Sequence, residues 1–110
     1  GGIGMSIQHR SSNFNAFSNG VFIVDTSINP VVATLPPNPV NDAVIIFADC
    51  KGSITSTSAT GFGLNSLTII PSPGSTIQGS PELSLNIDNQ GVQLAFDSTN
   101  LNWVIIGNNI

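Results

Sequence analysis

The chain has 110 residues, the size of one ordinary domain with a single hydrophobic core. Only 7% of it is charged, and its net charge of −4 includes just two cations, Arg10 and Lys51. That excludes the Lys/Arg clusters that phosphate backbones and anionic membrane surfaces need, and no apolar run approaches the roughly 20 residues of a membrane span; we expect no nucleic-acid partner and no membrane span.

Ser, Thr and Asn take the place of the missing charge. Disordered chains combine low hydrophobicity with high net charge, and this one does not. The mixture suits sheets whose wet faces carry uncharged hydrogen-bonding groups. The opening Gly1-Gly2-Ile3-Gly4-Met5 reads as a cloning scar or fragment end. Residues 1–19 lack strong alternation before Phe14 and Phe17, and are expected to be an extended lead-in to a single β domain at 20–110.

Within that domain the pattern has period two. Strands are predicted at residues 20–26, 31–35, 43–49, 66–70, 76–78, 83–87, 92–97 and 102–106. Between them lie Ser27-Ile28-Asn29-Pro30, Pro36-Pro37-Asn38-Pro39, Pro71-Ser72-Pro73-Gly74 and Asp97-Ser98-Thr99-Asn100, where proline, glycine and short polar side chains stop strands. Leu83-Ser84-Leu85-Asn86-Ile87 and Val92-Gln93-Leu94-Ala95-Phe96-Asp97 alternate cleanly about Asp88-Asn89-Gln90-Gly91. This predicts a hairpin with Leu83, Leu85, Ile87, Val92, Leu94 and Phe96 on its dry face and a glycine available for positive φ in its turn. Residues 53–63, rich in Ser and Thr, read as a long loop or weak edge strand tethered to the core by Ile54 and Phe62. No stretch shows helical spacing. Short strands with turn signals between them predict an all-β fold: an antiparallel β-sandwich or jelly-roll-like barrel of about 7–9 strands.

Three segments are apolar on both sides: Val31-Val32-Ala33, Ala43-Val44-Ile45-Ile46-Phe47 and Trp103-Val104-Ile105-Ile106. A two-sheet domain buries one face of each strand, so the second apolar face needs cover, from the 53–63 loop or, the reading we favour, from another copy of the chain.

The residues needed for catalysis are sparse. His9 is the only histidine and falls in the lead-in, where a solvated side chain is the commoner reading and a Ser-His-Asp arrangement a much weaker one. The six acids, Asp25, Asp42, Asp49, Glu82, Asp88 and Asp97, fall at strand ends or beside turns, where Asp ordinarily bonds the local backbone. Paired carboxylates for glycoside hydrolysis are a weaker reading of them. One Cys and one His exclude a structural zinc site. Asp88-Asn89-Gln90-Gly91 and Asp97-Ser98-Thr99-Asn100 offer oxygens but lack the run of acids that tight calcium sites use. Gly61-Phe62-Gly63 is not a phosphate loop. We therefore expect no enzyme, no catalytic or metal-binding residues and no cofactor. Cys50 cannot form an intramolecular disulfide, and is expected to be inert. Trp103 is the one aromatic that could be a sugar-stacking platform, with core packing the commoner fate of such a residue.

The order of segments carries one further signal. Val24-Asp25-Thr26 is followed by Val31-Val32-Ala33-Thr34-Leu35-Pro36, Pro39, Asp42 and Val44-Ile45-Ile46-Phe47-Ala48-Asp49. Then come Gly52, Asn65-Ser66-Leu67-Thr68-Ile69, Thr76-Ile77-Gln78-Gly79-Ser80, Leu83-Ser84-Leu85-Asn86, Val92-Gln93-Leu94, Phe96-Asp97 and Trp103-Val104-Ile105. Spread over residues 20–106, this set resembles a repeat-like β domain of phage tail fibres and other virion structural proteins. Phe96 stands where that family often has Tyr, and Cys50 where it has a small residue. The resemblance implies a homotrimeric fibre or spike segment on the outside of a virion, acting as spacer or host-adsorption module beside neighbouring fibre or tail proteins, with a host-surface glycan as a further partner. It carries no catalytic residues. The alternative, from Trp103 and the Asn-rich surface, is a carbohydrate-binding or adhesin module.

Overall fold

Alternating side chains need a dry surface on one side only, and the chain supplies it by packing two sheets face to face. The computed structural model describes residues 5–40, 43–55 and 57–109; Gly1, Gly2 and Asp42 lie outside the described residues. Ten strands occur among the described residues: β1 (Ser6–Arg10), β2 (Phe14–Asn15), β3 (Gly20–Val24), β4 (Val31–Thr34), β5 (Val44–Asp49), β6 (Leu67–Ile70), β7 (Thr76–Ile77), β8 (Leu83–Leu85), β9 (Gly91–Asp97) and β10 (Asn102–Asn109). The domain is all-β, with a six-stranded sheet in the order β1-β3-β5-β9-β10-β7 and a four-stranded sheet in the order β2-β4-β6-β8.

The sheets are mixed, which corrects the antiparallel expectation. β1, β3 and β5 pair in parallel in one sheet, and β2, β4 and β6 in parallel in the other. From β1 to β6 each strand lies in the sheet opposite its predecessor, so the chain winds as a flattened coil. β9 then runs antiparallel between β5 and β10, and β8 antiparallel to β6. Parallel neighbours cannot be joined by a tight turn, and here the strand of the opposite sheet serves as the crossover. Period two is the same in parallel and antiparallel strands, so alternation could not distinguish them.

The lead-in is part of both sheets. β1 is the free edge of the large sheet and β2 that of the small one, paired to β3 and β4. Gln8 and Arg10 share the inward side of their sheet with Phe22 and Val24. The Arg10 guanidinium lies 5.6 Å from the ring centroids of both Phe14 and Phe22. An inward-pointing charge blunts an edge strand against further pairing, and here it also covers the aromatic end of the core.

The predicted hairpin does not form. β8 pairs with β6 in the small sheet and β9 with β5 and β10 in the large one, so residues 86–90 cross from one sheet to the other. The Gln90 side-chain oxygen accepts from the Asn86 and Ile87 amides at 3.0 and 3.2 Å, and the Gln90 amide donates to the Ile87 carbonyl at 3.0 Å. The positive φ, 67°, falls on Asn89 and not on glycine. Gly91 serves close approach instead, since a Cβ there would sit 3.1 Å from the Phe47 carbonyl oxygen. Turn residues specify that the chain bends; they do not specify which sheet the next strand joins.

The dry face is consequently divided between the sheets. Leu85, Val92 and Leu94 are buried, Leu83 and Phe96 pack against the core from its margin, and Ile87, at the corner, is 47% exposed. Phe22, Phe47, Ile45, Leu67, Ile69 and Trp103 complete the centre. Truncating a buried Leu leaves a cavity, so Leu94→Ala should cost about 2–5 kcal/mol in urea denaturation. Ile87→Ala should stay within about 0.5 kcal/mol. Equal losses would contradict the crossing at residues 86–90.

Candidate functional site

Trp103 belongs to the core. It is fully buried, its ring centroid lies 5.1 Å from that of Phe96, and it presents no ring face to solvent. Its indole N–H has no partner among the described residues. Cys50, expected to be inert, is exposed on the turn after β5, its amide donating to the Val24 carbonyl at 2.9 Å.

Two of the acids have local roles. Asp25 accepts from the Ser27 amide and hydroxyl at 2.9 and 2.6 Å, and these bonds hold its pKa below the ordinary value. Asp97 accepts from the Asn100 side chain at 2.8 Å and the Thr99 amide at 3.0 Å, with the same direction of shift. Asp49 and Asp88 instead reach across the sequence. Asp88 accepts four backbone amides: Ser53 at 2.8 Å and Thr60 at 2.9 Å on one oxygen, Gly61 at 3.0 Å and Gly63 at 2.8 Å on the other. Asp49 accepts from Lys51 at 3.0 Å on one oxygen, and from Phe62 and Asn89 at 2.9 Å each on the other.

These two carboxylates fold the 53–63 loop over one end of the sandwich. Phe62 is driven into the core, as expected, while Ile54, the other predicted tether, is 98% exposed. Gly61 leaves room for the Asp49 carboxylate, since a Cβ there would lie 2.2 Å from one of its oxygens and displace it from the amides it accepts. The groups aimed at Asp88 are donors, which suit its own negative charge and oppose a cation, since calcium requires oxygen ligands. The amides, those of Thr60 and Ser53 foremost, lower its pKa to about 2.

A group with a depressed folded-state pKa contributes stability that is present above its unfolded pKa and lost as pH falls through the folded one. The Asp88 contribution should therefore be whole above about pH 4 and disappear toward pH 2. Asp88→Asn should free the loop at neutral pH, because the amide –NH2 would face backbone donors. Hydrogen exchange at Thr60, Gly61 and Gly63 would report it, and unchanged protection would refute the clasp. EDTA should leave the melting temperature unchanged.

The other distinctive surface is the outer face of the six-stranded sheet. Strand pairing and alternation place Ile7, Val21, Ile23, Val44, Ile46, Ala48, Ala95 and Val104 on it. Ile7 is 66% exposed, and Ile106, pushed out where the β9–β10 register shifts, is 56% exposed. Five neighbouring strands about 4.8 Å apart, each contributing about 17 Å of length, make a face of roughly 400 Å2. The largest apolar patch of a soluble monomer is of that order, roughly 300–600 Å2, and is often functional. The 53–63 loop is held by Asp49 and Asp88 at the end of the sandwich, through bonds that do not involve this face.

Of the three segments expected to form one second apolar face, 43–47 and 103–106 lie in the large sheet, where Val44, Ile46 and Val104 point out and Ala43, Ile45, Phe47 and Trp103 point in, whereas Val31-Val32-Ala33 lies in the small sheet and adds nothing to this face. Sequence reasoning missed the contribution of β1 and β3 and the long-range work of Asp49 and Asp88. The only sequence signal for the clasp was an unusually glycine-, Ser- and Thr-rich loop with carboxylates at two distant turns. Neither a protein-family model nor a curated protein matches the chain.

Proposed function

We propose that this chain is a non-enzymatic structural module of a viral fibre or spike, built to associate with copies of itself through the outer face of its six-stranded sheet. The observation that carries the reading is that face: apolar across β1, β3 and β5, continued by Ala95 and Val104, bordered by His9, Gly91, Gln93, Asp97, Asn102 and Asn109, and left uncovered by the loop that sequence offered as its alternative cover. A chain with so few charges has little electrostatic repulsion to keep copies apart. The coil-like winding supports the same reading, since it makes a stiff body from short strands and leaves both broad faces available. The physics calls for burial by a partner; the number three, the virion setting and the neighbouring fibre proteins come from the resemblance in segment order. The glycan-binding alternative has lost its aromatic platform with the burial of Trp103.

The test is mass in solution. Wild-type protein should scatter light as a homotrimer at micromolar concentration. Ile46→Asp and Val104→Asp, each placing a charge on the outer face, should shift the mass to monomer while the circular dichroism of the sheet is retained. Ser84→Asp, on the exposed side of the small sheet, should leave the mass unaltered. A folded wild-type monomer would overturn self-association.

A further inference from the structure

Three in-register parallel strands end side by side: Arg10, Val24 and Asp49 are successive partners across β1, β3 and β5. The chain leaves each strand at the same rim of the sheet, and residues far apart in sequence meet there. A pocket of about 310 Å3 at this rim is lined by His9, Arg10, Ser11, Asp25, Cys50 and Lys51, with Ile23 as its apolar wall. Those residues include both cations of the chain and its only histidine, in a molecule whose net charge is −4.

The state of each group favours an incoming anion. Arg10 spends one guanidinium nitrogen on the Gln8 side-chain oxygen at 3.3 Å and the His9 carbonyl at 3.0 Å, both neutral acceptors, and no carboxylate among the described residues is hydrogen-bonded to it. Its position over the Phe14 and Phe22 rings fixes the guanidinium at the rim. Lys51 is exposed. Asp25 is the one carboxylate in the lining; one of its oxygens is engaged by the Ser27 amide and hydroxyl, and the Lys51 charge lies near enough to favour its ionised form, which leaves Arg10 as the surplus positive charge. The neighbouring Asp49 is turned to three backbone amides instead of to the pocket cations. The lining therefore holds more positive than negative charge, with the Ser11 hydroxyl and the His9 ring as further polar groups.

We propose that this rim pocket binds the anionic group of a small organic molecule, a carboxylate or a sulfate or phosphate ester, with Lys51 and Arg10 as counter-charges and His9 beside them. The volume is at the lower end of the range for ligand sites, about 300–1,000 Å3, which limits the bound part to something near one sugar ring. The site shares His9 and Ile23 with the margin of the outer face, so the pocket is tested on Ile46→Asp, whose outer face is left uncovered, as well as on the wild-type chain.

The experiment is an NMR titration of the full chain, following the His9 ring protons, with glucuronate, glucose 6-sulfate and glucose 6-phosphate as the anionic probes and glucose as the neutral one. At least one anion should shift the ring resonances saturably, with a dissociation constant on the order of 1–10 mM. Added salt should weaken the binding, because these charges are screened by solvent. Glucose should give no saturable shift. Lys51→Glu, at an exposed side chain outside the core, should leave the rest of the spectrum in place and weaken the anion at least about tenfold. The proposal is overturned if none of the anions gives saturable shifts, if glucose binds as well as they do, or if Lys51→Glu binds the anion with undiminished affinity. Which anion binds best decides between a carboxylate and an ester.

Discussion

The parallel pairing of β1, β3 and β5 is the constraint from which the other features follow. Parallel neighbours require a crossover, and the chain makes it by sending β2 and β4 to the opposite sheet. The core is thus closed by the winding itself, and Phe22 and Phe47 stack across adjacent turns with centroids 5.7 Å apart. The same arrangement brings the strand exits to one rim, where His9, Arg10, Asp25, Cys50 and Lys51 gather. It also aligns the outward residues of the three strands, Ile7, Val21, Ile23, Val44, Ile46 and Ala48, into one apolar face.

Parallel winding leaves a difficulty at its end, because a coil has an open core at each terminus. Arg10 and the polar inward side of β1 close the first end, by a cation over aromatic rings. At the other end β8 runs antiparallel to β6 and β9 antiparallel between β5 and β10, which stops the progression. The long 53–63 loop, at the passage from β5 to β6, is the weak point of the winding. It carries Phe62 into the core but has few other apolar residues to hold it, so its amides are gathered on Asp88 and Asp49. A carboxylate that accepts four amides is a substitute for a strand ladder where the sequence is too rich in Ser, Thr and Gly to make one.

Charge is used sparingly, and four of the acids and both cations have a definite place. Asp25 and Asp97 close their own turns, Asp49 and Asp88 hold a distant loop, and the two cations share a rim. Within its strands the outer face of the large sheet carries one formal charge, Asp97 at the end of β9, and no Lys, Arg or Glu. That is the composition expected of a surface meant to be covered, because a buried unpaired charge would oppose association. The proposed fibre module and the proposed anion pocket thus occupy different parts of one design: the face and its rim.

The amino-acid sequence alone determined where strands lie and which side of each is dry. Val31, Ala33, Leu67, Ile69, Leu85, Val92 and Leu94 are buried at the positions where alternation places them, because period two is a property of the extended backbone and needs no partner to be read. It also determined the low charge and the surplus of apolar side chains beyond one face. Only the tertiary structure decided which strands are neighbours. Backbone ladder bonds are chemically alike in every strand, so Asp88-Asn89-Gln90-Gly91 could close a hairpin or cross between sheets with the same residues, and burial on both sides of the corner selected the crossing. Alternation was faint in residues 6–10 because β1 is an edge strand whose inward side is polar, and for that reason its place in the sheet was not legible. The grouping of His9 with Lys51 likewise exists only because parallel register aligns the ends of strands about 40 residues apart in the chain.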